Sequence, residues 1–300
     1  VSVIFAHKIK IRMAQPKNHI LVPIDFSEQS LIALGQSYNL ARLNRADLTL
    51  IHIIDESFHL PFMGKKEDKS MEKKIQKELD KLASETSQTA GIKVNTMVTR
   101  GKIYEEIQKA VKKLKVSLII MGTNGSVGFK RFIGSNALRV IREASCPVIT
   151  IKGKKHRAGC KHIVLPLDLQ KETKEKVHNA IEFSKLFGST IDLVSVLTTD
   201  DEFIVNKLKR QMHQVHEYIL EQNIPCTVEF LHGDDVAEEV VKYAKRIKAD
   251  IIMVMTQSEM DWSDMFISSA TQDIINSSDI PVLSVHPKEK KDTTLTPFEY

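Results

Sequence analysis

Residues 20–25, ILVPID, recur at residues 163–168 as IVLPLD. Both stretches are short apolar runs that end in an aspartate, a pattern typical of buried strands that lead into a loop. Four further pairs of segments match in the same order: residues 48–55 with 191–198, 98–101 with 230–233, 117–121 with 250–254, and 146–149 with 280–283. A repeat of about 140 residues indicates two duplicated domains rather than a solenoid of short units.

Within each copy, strand-like runs alternate with segments of helical periodicity. In the first copy, residues 27–44 and 104–114 place apolar side chains three and four positions apart, as an amphipathic helix does. The strands between them are apolar nearly throughout, which a sheet covered by helices on both faces requires. The alternation predicts an α/β fold with two tandem doubly wound domains, each built on a five-stranded parallel sheet.

The spacing of the matched segments predicts the domain boundaries. The offset between copies falls from 143 to 132 residues after the second pair, so the second copy lacks about eleven residues opposite the charged segment 64–90. The predicted parts are an N-terminal extension at 1–16, a first domain at 17–152, a linker at 153–161, a second domain at 162–287 and a tail at 288–300.

Composition excludes several classes of protein. Hydrophobic residues form 42% of the chain, yet their runs are far shorter than the roughly 20 residues of a membrane span. The 43 basic and 38 acidic residues are interspersed, which argues against a nucleic-acid groove. Cys146, Cys160 and Cys226 are too scattered for a disulfide framework or a zinc site, so we expect reduced thiols and a cytoplasmic location. Residues 1–12 lack the features of a signal peptide, and Met13 is the expected start.

The candidate site lies in the first copy. Doubly wound sheets bind ligands beyond the carboxyl ends of their strands, where the strand order reverses. A 3-2-1-4-5 order places this crevice between the strand that ends at Asp25 and the strand that ends at Gly122. The glycine-rich loop 122–135, GTNGSVGFKRFIGS, follows, and then a helix predicted from about Asn136 to Ala144.

Such a loop suits an anion. Glycines let backbone N–H groups approach a phosphate closely, and a helix N-terminus adds unpaired donors and partial positive charge. We expect Ser135 to cap the helix and to donate its hydroxyl to the same anion. The alternative is that the glycines serve turn geometry alone. Two familiar phosphate loops are absent, because the chain contains no G-x4-G-K-[ST] and no G-x-G-x-x-G after a first strand.

These residues resemble the universal stress protein family. Residues 22–27, VPIDFS, are similar to its opening strand and turn, and Gly122-x2-Gly125 leading to Gly134-Ser135 is similar to its ATP-binding signature, G-x2-G-x9-G-[ST]. The resemblance covers nearly the whole chain as a tandem of two domains with an adenine nucleotide alpha hydrolase-like fold. The chain departs from the signature in one place, since eight residues rather than nine separate Gly125 from Gly134.

The resemblance implies that the first domain binds ATP, with magnesium or manganese held through the phosphates. Asp25 and Ile53 would lie near the adenine and ribose. The residues that would meet the phosphates are Gly122, Gly125, Gly134 and Ser135.

The second copy keeps Asp168 but loses the loop glycines. Met255, Ser258 and Ile267 stand opposite Gly122, Gly125 and Gly134, and only Ser268 matches Ser135. Carboxylates at Glu259, Asp261 and Asp264 add negative charge where phosphates would lie. We therefore expect the second domain not to bind ATP, and to serve as a pairing partner or as a site for another ligand. Trp262 is interpreted as a packing residue.

Other constellations are weaker. His213 and His216 are three apart on a predicted helix, but without a third ligand in the sequence nearby they indicate a solvated helix face rather than a metal site. No G-x-S-x-G nucleophile elbow supports a hydrolase.

The strands at 147–151 and 281–285 are candidate edges. Because the last strand mediates dimers in the resembling family, the two copies would form an intramolecular pseudo-dimer, and a homodimer stays open.

The resulting expectation is a cytoplasmic stress-response protein whose first domain senses ATP and couples its occupancy to a protein partner. No catalytic base is evident, so hydrolysis or autophosphorylation would be slow and incidental. The competing class is a scaffold that binds no nucleotide and acts through protein contacts. A transfer or adenylation enzyme would need a motif such as HIGH or SGGxDS, and the chain has neither. In the first class, Gly122→Val or Gly134→Val should abolish ATP affinity with the fold nearly intact, whereas Met255→Gly should change little.

Overall fold

A computed structural model of the chain describes residues 18–56, 65–123, 133–153, 159–168, 173–256 and 269–286. The predicted extension at 1–16 and the predicted tail at 288–300 lie outside these ranges, as do residues 154–158 of the predicted linker. Of the described helices, none has the length and apolar composition of a bilayer span.

The first half alternates strands with helices. Its described elements are β1 (His19–Pro23), α1 (Glu28–Asn44), β2 (Asp47–Asp55), α2 (Lys65–Ala90), β3 (Val94–Gly101), α3 (Ile103–Leu114), β4 (Leu118–Gly122), α4 (Ser135–Glu143) and β5 (Val148–Ile151). Helix α1 begins directly after Ser27, whose hydroxyl accepts a hydrogen bond from the backbone N–H of Ser30 at 3.2 Å. This side chain satisfies an N–H group that has no partner within the helix.

The second half repeats this order. Its described elements are β6 (His162–Pro166), α5 (Thr173–Phe187), β7 (Thr190–Leu197), α6 (Glu202–Glu221), β8 (Cys226–His232), α7 (Val236–Arg246), β9 (Ile251–Met255), α8 (Ser269–Ser277) and β10 (Val282–Val285). Helix α6 has 20 residues where α2 has 26, so part of the length difference between the copies lies in this helix.

The ten described strands form one sheet in the order β3-β2-β1-β4-β5-β10-β9-β6-β7-β8. Each half has the 3-2-1-4-5 order, and its neighbouring strands run parallel. The predicted α/β class with a five-stranded parallel sheet in each copy is therefore confirmed. The two sheets are also continuous, because β5 and β10 lie side by side.

The seam between the halves is antiparallel. Its register pairs Val282 with Thr150, Leu283 with Ile149 and Ser284 with Val148. Ile149 and Leu283 occupy equivalent positions of the repeat, so the seam has a local two-fold axis at this pair. The Thr150 hydroxyl donates to the carbonyl of Val282 at 3.3 Å, whereas the equivalent Ser284 hydroxyl is buried and has no partner within the described ranges.

Both halves share the apolar core on each face of the sheet. One cluster joins the sheet to α1 and α2 of the first half and to α5 and α6 of the second. The other cluster joins the opposite face to α3 and α4 and to α7 and α8. Because each cluster crosses the seam, burial on either face depends on both halves.

Candidate functional site

A crevice opens at the carboxyl ends of β1 and β4, the pair at which the strand order of the first half reverses. These strands are neighbours through Ile20–Leu118 and Leu21–Ile119. Asp25 follows β1 with an exposed side chain, and Gly122 ends β4. The predicted switch point therefore brings Asp25 and Gly122 to the same edge of the sheet.

The Asp25 carboxylate is oriented by its own turn. Its Oδ1 accepts the backbone N–H of Ser27 at 2.9 Å, and the intervening Phe26 has the left-handed φ of 61°. His52 Nδ1 donates to the carbonyl oxygen of Ile24 at 2.7 Å. The ring centroids of Phe26 and His52 are 5.3 Å apart. Together these contacts hold the end of β1 in one conformation while Asp25 faces solvent.

Phe26 and His52 were not predicted as supports of this turn. A signal was present in the repeat, because Ser195 stands where the first copy has His52. The Ser195 hydroxyl donates to the carbonyl of Leu167 at 3.0 Å, which is the same bond at the equivalent position. His52 and Ser195 are therefore recognisable in the sequence as polar residues at equivalent positions of the two copies.

Ile53 lies near the carboxyl end of β2, beside the crevice. Its side chain is half-buried and packs against the core cluster on the α3 and α4 face of the sheet. This position offers an apolar surface to a ligand that enters above β1 and β2.

Gly122 is required by the close approach of helix α1. A Cβ at this position would lie 2.8 Å from Cβ of Gln29, 2.9 Å from its carbonyl carbon and 3.1 Å from the backbone nitrogen of Ser30. The expectation that Gly122→Val leaves the fold nearly intact is therefore wrong, because backbone atoms of α1 occupy the space. Loss of ligand affinity in this variant would not separate binding from folding.

The two ends of the glycine-rich loop are fixed to one point. The Gly134 N–H donates to the Thr123 carbonyl at 3.0 Å, and the Thr123 N–H donates to the carbonyl of Ile151 at 3.0 Å. Residues 124–132, which include the predicted phosphate contact Gly125, lie outside the described residues. The two described residues that flank this segment, Thr123 and Gly134, are therefore joined to each other, and Thr123 is joined to the last residue of β5.

Helix α4 begins at this point with a glycine cap. Gly134 is the N-cap, with φ −62° and ψ 145°, and its carbonyl accepts the N–H of Leu138 at 3.1 Å. The prediction that Ser135 caps the helix is wrong, because Ser135 is already its first helical residue. Glycine has no side chain to cover the N–H groups of the first turn, and that turn contains no acidic residue. Gly134 and Ser135 are both exposed.

The second half reaches this loop through Asn276 of α8. Its side-chain Oδ1 accepts the backbone N–H of Ile133 at 3.1 Å, directly before the N-cap of α4. Its carbonyl oxygen accepts a hydrogen bond from Nζ of Lys152, and burial lowers the pKa of Lys152. The carbonyl of Lys152 accepts the side-chain amide of Gln29 in α1 at 3.2 Å. Asn276 therefore contacts both Ile133, directly before the α4 cap, and Lys152, directly after the seam strand β5, and it was not predicted.

Met255 occupies the equivalent position in the second half. This residue ends β9 opposite Gly122, and its side chain is buried in the core with 4% exposure. The N–H of Thr256 donates to the carbonyl of Val285 at 3.0 Å, as Thr123 does in the first half. The remaining predicted positions lie outside the described residues: Ser258, Glu259, Asp261, Trp262, Asp264, Ile267 and Ser268.

The histidine pair of α6 has a third neighbour. His213, His216 and Glu217 place one ligand atom each within 4.8 Å of one another. The expectation that no third ligand lies nearby is wrong, because Glu217 follows His216 directly and shares its turn of helix with both histidines.

Comparisons with known proteins agree with this architecture. The sequence profile of the universal stress protein family matches twice, at residues 17–152 and 159–286. Universal stress protein MJ0531 of Methanocaldococcus jannaschii is 34% identical over 143 residues, which cover 45% of this chain and 82% of that protein. Universal stress protein YxiE of Bacillus subtilis is 28% identical over 146 residues, which cover 45% of this chain and 99% of that protein.

A solved structure matches both halves together. The crystal structure of a universal stress protein from Archaeoglobus fulgidus superimposes with a TM-score of 0.74 and 21% sequence identity. The match covers 90% of this chain and 98% of the other, so the tandem fold is shared over nearly its full length.

Proposed function

The chain belongs to the universal stress protein family as a tandem of two of its domains, and on this premise we propose that the first domain binds an adenine nucleotide. The ligand we propose is ATP, with magnesium or manganese held through its phosphates. The site is the crevice between the carboxyl ends of β1 and β4.

The observation that carries this proposal is the start of α4, which is hydrogen-bonded through Gly134 to Thr123, directly after the carboxyl end of β4. A glycine N-cap supplies no side chain to the first-turn N–H groups of α4, none of the described residues caps them, and the first turn contains no carboxylate. Helix N-termini of this kind favour phosphate groups. Asp25 supplies an oriented hydrogen-bond acceptor for ribose or adenine, and Ile53 supplies apolar surface for the base. The described residues therefore fit the three parts of a nucleotide.

Asn276 supports a sensing role. It belongs to the second half, yet it binds the backbone N–H that precedes the N-cap of α4. Any rearrangement of the loop on binding phosphate would change this contact. We propose that occupancy of the first domain reaches the second through Asn276, and that a protein partner responds to it during stress.

We assign the protein no catalytic role and place it in the cytoplasm. Cys146, Cys160 and Cys226 are free thiols, which fits a reducing compartment. A measurement of phosphate release from ATP tests the first statement, and we expect turnover far below the rates of dedicated ATPases.

Gly134→Asp tests the site directly. The backbone at Gly134 already has the extended conformation of an N-cap, and among the described residues a Cβ there would meet only the Thr123 carbonyl, at 3.4 Å. An aspartate cap is at least as favourable as glycine for helix stability, but its carboxylate would occupy the N–H groups and repel phosphate. We expect ATP affinity to fall at least tenfold while the free energy of unfolding is unchanged or slightly raised.

The control is Gly159→Asp, which adds the same charge at a position where a Cβ meets no described atom within 4 Å. Isothermal calorimetry with ATP and magnesium on the full chain should give one nucleotide per chain, and saturation at about a hundred times Kd should stabilise the fold by about 2.7 kcal/mol. Equal affinity in wild type and Gly134→Asp would contradict the site. No binding by the wild type would favour the scaffold class, with the eight-residue spacing between Gly125 and Gly134 as its cause.

A further inference from the structure

We propose that the second domain carries a binding site for a divalent transition metal of the Zn²⁺ type, formed by His213, His216 and Glu217 on helix α6. This site is separate from the crevice of the first domain and does not depend on nucleotide binding. The three residues lie at positions i, i+3 and i+4, which a helix places on one face within a single turn. Their ligand atoms lie within 4.8 Å of one another.

The hydrogen bond of His216 prepares its other ring nitrogen for a metal. His216 Nε2 lies 3.2 Å from the backbone carbonyl oxygen of Cys226 on β8, and a carbonyl only accepts, so Nε2 carries the proton. In the neutral imidazole, Nδ1 then presents a lone pair. Histidine ligands are commonly held in this way, with the second ring nitrogen donating to a backbone carbonyl.

The lone pair of His216 faces an acceptor. Its Nδ1 lies 3.4 Å from Oε1 of Glu217, and an ionised carboxylate also only accepts. Two acceptors at this distance repel each other unless a positive charge lies between them. Either a proton on Nδ1 or a bound cation supplies that charge, and a metal ion also engages His213.

The geometry needs a modest adjustment. With metal–ligand bonds of about 2.0–2.2 Å, tetrahedral ligand atoms lie about 3.4 Å apart. The His216 and Glu217 atoms already have this separation. His213 and Glu217 are exposed side chains, so they can rotate toward the ion without disturbing the core, while His216 is held by β8.

The ligand set selects the class of metal. Two imidazole nitrogens and one carboxylate oxygen suit Zn²⁺, Co²⁺, Ni²⁺ or Cu²⁺, whereas Mg²⁺ and Ca²⁺ prefer oxygen ligands alone. Three protein ligands leave a coordination position open, as in zinc sites that bind water or a further ligand. A cavity of about 490 Å³, lined by Lys209, His213, His216, Val228 and Phe230, gives that position space.

Lys209 provides an internal test of the charge at the site. Lys209 lines the same cavity, one helical turn before His213, and its positive charge opposes a cation. Lys209→Met should therefore raise metal affinity about twofold or more at low salt. If this helix face binds no metal, Lys209→Met should leave metal affinity unchanged.

Metal binding by cysteine can be distinguished from metal binding by His213, His216 and Glu217. Burial raises the pKa of the thiols of Cys146, Cys160 and Cys226 to about 12, which disfavours the thiolate that a metal requires. Co²⁺ reports the difference, because thiolate coordination adds a strong near-ultraviolet charge-transfer band that imidazole and carboxylate do not give.

The experiment is a titration of the metal-free, untagged full chain with Co²⁺, followed by visible absorption, and with Zn²⁺ against a chromophoric chelator. We expect one ion per chain and no thiolate band. His213→Ala and Glu217→Gln should each weaken Zn²⁺ binding at least tenfold with unchanged unfolding midpoints, because both side chains are exposed.

The matched control is His178→Ala, which removes an exposed histidine from α5 of the same half. This variant should bind Zn²⁺ as the wild type does. The proposal is overturned if the wild type binds no ion, if the His213 and Glu217 variants bind as tightly as the wild type, or if Co²⁺ shows a thiolate band.

Discussion

Gly122→Ala should destabilise the protein even though it adds a single methyl group. The new Cβ would lie 2.8 Å from Cβ of Gln29 and 2.9 Å from its carbonyl carbon, at the start of α1. Nonbonded carbons pack about 3.5–4.0 Å apart, so the helix must withdraw by roughly an ångström. Overpacking of this kind costs roughly 1–3 kcal/mol. Gln29 also donates to the Lys152 carbonyl, so a displaced α1 would strain this bond as well.

The assay is urea unfolding of the full chain, followed by circular dichroism, with Gly159→Ala as the control. A Cβ at Gly159 meets no atom of the described residues within 4 Å, so this variant should unfold within about 0.5 kcal/mol of the wild type. The transition slope should be the same for all three proteins, and the midpoint of Gly122→Ala alone should fall. If Gly122→Ala is as stable as Gly159→Ala, the contact with α1 does not fix this glycine, and the reasoning fails.

Four further outcomes follow from single contacts. Asn276→Ala should cost about 1 kcal/mol and weaken ATP binding measured by calorimetry, because the N–H before the α4 cap loses its acceptor. Met255→Ala should lower the free energy of unfolding in urea by about 2–5 kcal/mol, since it empties a buried position without touching the first domain's site. Ser284→Ala should leave stability unchanged or slightly raised in the same assay, because its buried hydroxyl has no partner among the described residues, whereas Thr150→Val should destabilise. Burial lowers the pKa of His286, so the imidazole binds a proton less readily in the folded state than in the unfolded state. The free energy of unfolding in urea should therefore fall as the pH drops below about 6.5. The fall should be smaller in His286→Gln.

The architecture was predictable because the two copies repeat the same buried strands. Runs such as 118–121 and 251–255 are apolar throughout, which only a sheet covered on both faces accommodates. The 3-2-1-4-5 order then placed Asp25 and Gly122 at one crevice. The fold and the position of the crevice follow from local hydrophobic pattern and the order of elements along the chain, so a single sequence is enough to predict them.

The reason for Gly122 was not predictable, because it depends on the distance between β4 and α1. A glycine that admits a phosphate and a glycine that admits a helix look the same in sequence. The start of α4 was misplaced by one residue, since Ser135 is a better capping residue than Gly134 by propensity, yet the extended backbone falls at the glycine. Asn276 was missed because it acts on the opposite half of the chain. Glu217 was not predicted as a ligand although it adjoins His216, because exposed carboxylates are common on helices that bind no metal.

The antiparallel seam between β5 and β10 has a consequence for how the two halves diverged. Where equivalent strands pair between separate chains, both chains carry every substitution, and the association weakens on dilution. Here the partner is covalently attached, so the seam forms at any protein concentration. The second half can then lack the loop glycines and have Met255 at the position of Gly122, while its sheet still completes the core of the first half. Covalent linkage makes the contact between equivalent strands permanent, so the two copies need not keep the same site.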